Sequence, residues 1–171
     1  MLDKVFGVPA HPFFVHAPLV LTPLVAVLAL CLVVKPAWRT KYGVPIAILA
    51  FANGILTFLA GQSGESLRET MRGTVTSARA AAIRNHANLA DAIRPVIFLL
   101  WLAITFFVAY AYQRDGKITV WHRTIRWPGG NTASKVSRVV VAVVAIVAAA
   151  WIVKIGHEGA KATWMASTPQ G

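Results

Sequence analysis

The stretch His11-Pro-Phe-Phe-Val-His16-Ala-Pro18 opens an apolar run that continues without a charged residue to Val34. A helix needs roughly 20 apolar residues to cross the hydrocarbon of a bilayer, and Phe13 to Val34 meets that length. Three further runs follow: Tyr42 to Ala60, Pro95 to Tyr112, and Val139 to Val153, the last reaching spanning length once Ile155 and Gly156 are added. The composition agrees with this reading. Apolar residues make up 57% of the chain, charged residues only 13%, against about 25% charged in ordinary soluble domains. The pattern predicts an all-α fold, an up-down bundle of four transmembrane helices spanning approximately 13–34, 42–60, 95–112 and 139–156, within one membrane domain covering 1–171. No internal repeat, low-complexity segment or linker is evident.

The first run is much longer than the apolar core of a secretory leader, about 7–15 residues, and no small-residue cleavage site follows it, so it reads as a span. Cys31, the single cysteine, lies between Leu30 and Leu32 and reads as an apolar packing residue. Asn53, beside Gly54 in mid-span, reads as a polar contact between helices.

The net charge of +11 would point to nucleic acid in a soluble protein. Here the basic residues flank apolar runs, which points to the lipid bilayer as partner and away from nucleic acid. Lys35, Arg39 and Lys41, together with Arg114, Lys117, Arg123, Arg126, Lys135 and Arg138, share one face. Because they crowd the span ends, that face is expected to be cytoplasmic, with both termini on the periplasmic side of a bacterial inner membrane.

Parity adds a conclusion that needs no orientation. With four spans, the N-terminus, the connection between spans two and three, and the C-terminus share one side, and those segments hold His11, His16, His86 and His157. Only His122 of the 5 histidines falls opposite, in a segment whose Trp121, Trp127 and Pro128-Gly-Gly-Asn131 read as an interfacial anchor and turn, with a short strand edge over 118–121.

Pro12 disfavours helical geometry at the preceding residue, so His11 is expected just ahead of the helix, with Pro12 in its first turn. Pro18 and Pro23 are expected to make the start of span one irregular. Span three is expected to begin well outside the membrane, near Thr74 to Ser77 with Ser77 as cap, and to carry Arg79, Arg84, His86 and Asp91 on the projecting part. Arg79, His86 and Ile93 fall on one face of it.

Histidines on facing helices suit a b-type haem held in a bundle core. Spans one and three are diagonal in an up-down bundle, so His16 and His86 are the preferred axial pair; His16 or His11 with His157 is the competing one. Asp91 and Glu158 could fix the imidazole tautomers, and Arg79 or Arg84 could hold haem propionates. Copper or zinc is an alternative without local ligand spacing to support it. Histidines that simply sit at the water–lipid boundary, with no cofactor, are the plainest alternative. The chain carries no Walker loop, no C-x-x-C-H haem attachment site, no serine-nucleophile signature and no carboxylate within a span. An electron-transfer protein, with a redox partner, or a non-catalytic subunit of a larger membrane complex is therefore expected rather than an enzyme.

Val8-Pro-Ala-His11-Pro-Phe-Phe-Val-His16-Ala-Pro18, the Gly61 region, Arg84-Asn-His86-Ala-Asn88 and Gly156-His-Glu-Gly159 together resemble the bacterial four-helix membrane family DUF2231, over about residues 8–160. The resemblance implies an integral membrane protein without an assigned function. Similar domains occur fused to cytochrome c-like modules, which implies a haem or electron-transfer setting. After span four the chain has Ala160-Lys-Ala-Thr-Trp164 where the family usually has a Gly-Val-rich ending.

Overall fold

The computed structural model describes residues 4–114, 119–120, 123–124 and 130–164. It contains four long helices: α1 (Ala10–Val34), α2 (Pro36–Thr70), α3 (Ser77–Arg114) and α4 (Asn131–Trp164). Each encloses one of the expected apolar runs and is long and apolar enough to span a bilayer. Two short antiparallel pairs accompany them, β1 (Lys4–Val5) with β2 (Val8–Pro9), and β3 (Thr119–Val120) with β4 (Arg123–Thr124). The expected strand edge falls partly on β3. His122, Trp121, Trp127 and Pro128 lie outside the described residues.

α1 packs on α2 and α4, and α3 packs on the same two. The helices thus close a square in which α1 faces α3, and α2 faces α4, along the diagonals. Large side chains such as Val20, Ile48, Phe106 and Val143 point outward, where lipid is as good a solvent for them as the core. Association then rests on close packing and interhelical hydrogen bonds rather than on removal of apolar surface from water.

Three local expectations are corrected. α1 stays helical through Pro18 and Pro23 rather than starting irregularly, with Pro18 buried; membrane helices tolerate such interior prolines. His11 lies inside the first turn, because the helix begins at Ala10 with Pro9 as its cap. The first turn has no intrahelical acceptor for the missing Pro12 N–H, so Pro12 costs nothing there. The cap of α3 is Thr76, whose hydroxyl accepts the Arg79 N–H at 3.4 Å, one residue ahead of Ser77.

The α1–α2 link is the single residue Lys35, with Pro36 opening α2. Arg39 turns back across it and donates Nε to Leu32 O and Nη2 to Val33 O, both at 2.9 Å, while its guanidinium lies 5.0 Å from the Phe107 ring. A buried cation is accommodated because it satisfies the open carbonyls that end α1. In mid-bundle Asn53 is fully buried; its Nδ2 donates to Thr22 Oγ1 at 3.0 Å, joining α1 to α2 as the sequence suggests. Replacing Asn53 with leucine leaves that hydroxyl unpaired and is expected to destabilise the bundle by about 1 kcal/mol, measurable as a lowered unfolding midpoint in detergent. An unchanged midpoint would mean the contact is neutral.

The structure also contains a repeat that the sequence does not display. The buried residues Thr22, Val25, Ala29 and Leu32 of α1 fall at one fixed offset on Ile97, Leu100, Ile104 and Phe107 of α3, all buried as well. Ile46, Ala50, Asn53, Thr57 and Ala60 of α2 fall at a second fixed offset on Val141, Ala145, Ala148, Ile152 and Ile155 of α4. The hairpins α1–α2 and α3–α4 are therefore two-fold equivalents in packing. Pairs such as Asn53 with Ala148 differ in chemistry, which hides the relation in the sequence.

Candidate functional site

At the end of the bundle nearest the N-terminus, the four helices line an open cavity of about 440 Å³, within the size range of small-molecule sites. Two imidazoles reach into it, one from each hairpin. His11 comes from the first turn of α1, and its Nδ1 lies 3.0 Å from Ala60 O of α2. His86 comes from the projecting part of α3, and its Nδ1 lies 3.2 Å from Ile155 O of α4. A carbonyl only accepts, so Nδ1 carries the hydrogen in both rings and donates it. In the neutral imidazole this leaves Nε2 with its lone pair, the form that binds metals. The ring centroids are 6.3 Å apart and the planes cross at 77°.

Glycines make room for both rings. A Cβ on Gly64 would stand 2.9 Å from His11 Cε1, and one on Gly159 would stand 3.0 Å from His86 Cε1. Each glycine follows the accepting carbonyl by one helical turn, so carbonyl and glycine form the same cradle in both hairpins. The relation continues deeper. Gly61 is covered by Arg94 of α3, and Gly156 is covered by Leu19 of α1; these two side chains are equivalents in the two-fold relation.

Of the residues singled out from the sequence, His11, His16, His86, Arg79 and Asp91 line the cavity. The rings brought together are His11 and His86, not His16 and His86. His16 is exposed at the rim and its Nδ1 bonds to Pro12 O of its own helix. His157 and Arg84 are exposed and are not part of the wall. Asp91 pairs with Arg94 at 2.8 Å, and Glu158 accepts from Asn85 at 3.1 Å and from Lys161 at 3.0 Å. Backbone carbonyls, rather than these carboxylates, orient the imidazoles. Arg79 has a buried Nε with no hydrogen-bond partner among the described residues, whereas Arg68, also on the wall, pairs with Glu65 at 2.6 Å.

The sequence reading missed Gly64, Arg68 and Arg94, and did not connect Gly61-x-x-Gly64 with Gly156-x-x-Gly159. That repeated spacing, at the same end of alternate helices, is the signal that marks the cradle.

The fold and site define a four-helix integral membrane protein in which two equivalent hairpins meet around a pair of imidazoles. The chain belongs to the DUF2231 family, described as a predicted membrane protein, whose pattern matches residues 7–168. No curated protein and no solved structure matches it.

Proposed function

We propose that the protein binds b-type haem between His11 and His86 and serves membrane electron transfer. The observation that carries this reading is the 6.3 Å separation of two imidazoles whose Nδ1 atoms are both tied to carbonyls. Each ring keeps an Nε2 lone pair, so the two together would hold a single ion between the hairpins. Two protein ligands suffice only for a metal that brings its other donors with it, as the iron of a porphyrin does. Copper and zinc generally need a third or fourth protein donor, and among the described residues no group of three His, Cys, Asp or Glu is placed to hold an ion.

The chain's own contributions follow from the cradle. The carbonyls of Ala60 and Ile155 fix the tautomer and ring orientation and raise the basicity of Nε2. Arg79, with its unpartnered donor, supplies a cation for a ligand carboxylate. Pro18, Ile93, Ile152 and Ile155 give the inner side an apolar wall. Haem supplies the one-electron chemistry when bound. The site lies on the side of both termini, which we place outside the cytoplasmic membrane, because Arg39, Arg114 and Arg138 crowd the opposite ends of the spans.

The test is an absorption spectrum of isolated membranes and of purified protein from haem-replete cells. A Soret band with an alpha band that sharpens on reduction is expected. Membranes rich in the protein that show neither, and purified protein that takes up no added haem, would overturn the proposal.

A further inference from the structure

A second cavity, of about 310 Å³, opens on the lipid-facing side between α2 and α3. Phe51, Phe58 and Phe98 line it and each exposes about half of its surface. Trp101 lies between two of them, its ring 5.2 Å from Phe51 and 5.5 Å from Phe98. Gly54 keeps the floor open, since a Cβ there would meet nothing within 4 Å. Arg94 closes the outer end and is also part of the wall of the histidine cavity; its Nη2 pairs with Asp91 at 2.8 Å and its side chain is 35% exposed.

The two-fold relation shows that the bundle itself does not require this groove. On the equivalent face between α4 and α1, Phe51, Phe58 and Gly54 correspond to Ile146, Val153 and Ala149, while Phe98, Trp101 and Arg94 correspond to Pro23, Ala26 and Leu19. Every ring, the gap and the cation are confined to one of two equivalent faces.

We propose that the groove binds an isoprenoid quinone. Its occupant comes from the bilayer, because the groove opens to lipid. Aromatic walls around a gap suit a flat conjugated ring, which stacks on them at offset or edge contacts. The Arg94 guanidinium has N–H groups beyond the one given to Asp91, and a ring carbonyl at the outer end of the groove accepts from them. From Phe51 to Phe58 is two helical turns, about 10 Å, shorter than an acyl chain reaching to mid-bilayer, about 15 Å. A compact head with a tail continuing into lipid fits better than a phospholipid. The inference stands on the groove alone and needs no metal at the histidines, although Arg94 places the head beside them.

Equilibrium binding of decylubiquinone to the purified protein in lipid nanodiscs tests it. Saturable binding near one per chain is expected. Gly54→Leu, which fills the gap, and Arg94→Leu, which reproduces the Leu19 side, should each weaken it at least tenfold, and Ala149→Leu on the equivalent face should leave it unchanged. Should Gly54→Leu fail to fold, Trp101→Leu, which trims a partly exposed ring, takes its place with the same expected loss. Absence of saturable binding, equal binding in all folded variants, or loss of tightly held phospholipid rather than quinone in Gly54→Leu would each overturn the proposal.

Discussion

Replacing His86 with alanine is expected to abolish haem binding while leaving the bundle folded. Perturbing the outer partners of a metal-bound imidazole typically costs about 10–100-fold in affinity, so removing the ligand itself should exceed about 100-fold. His11→Ala should do the same. The exposed His16 and His157 are the informative controls: alanine at either should keep the Soret band, because neither ring faces the His11–His86 pair. Haem content per protein, with helicity measured alongside, separates the outcomes. If His16→Ala loses haem and His11→Ala keeps it, the pair is His16 with His86 and the assignment to His11 is wrong.

The double variant Gly64→Ala/Gly159→Ala is expected to separate stability from binding. Each new methyl would stand 2.9 or 3.0 Å from an imidazole Cε1, closer than the ring tolerates, so both rings must move and stretch their bonds to Ala60 O and Ile155 O. The backbone has the opposite preference, since alanine is favoured over glycine in a helix interior by about 1 kcal/mol. The variant should therefore unfold no earlier than the parent, yet bind haem about 10–100-fold more weakly. A haem titration and a thermal melt on the same preparation check both halves. Undiminished affinity would show that the cradle does not set the imidazoles.

The spans were legible because uninterrupted apolar length is a strong signal and needs no knowledge of neighbours. The common side of His11, His16, His86 and His157 followed from parity alone. Which of them faces inward was not legible, and the reason is physical. His11 and His16 are five residues apart, so they lie on different faces of α1, and α1 is apolar on every side; lipid and core make the same demand, and no moment tells them apart. Placing the helix start two residues late, at Pro12 instead of Ala10, then favoured His16. Pro12 encouraged that error, because its usual steric effect on the preceding residue was overridden in a first turn that needs no N–H from it. The carbonyl partners of the imidazoles were beyond reach for another reason. A backbone oxygen leaves no mark in residue identity, and only the absent side chains of Gly64 and Gly159 record that something must pass close by.

The hydrogen bonds to the imidazoles also say how this protein can be made. His11 is oriented by Ala60 and His86 by Ile155, always within one hairpin and never across to the other. Because the chain is made in order, Ala60 is present with α2, and so the partner of His11 is available before the second hairpin exists. The second hairpin brings a finished counterpart. What remains is the meeting of two prefabricated halves in the plane of the lipid, with the turn over residues 71–76 as their tether.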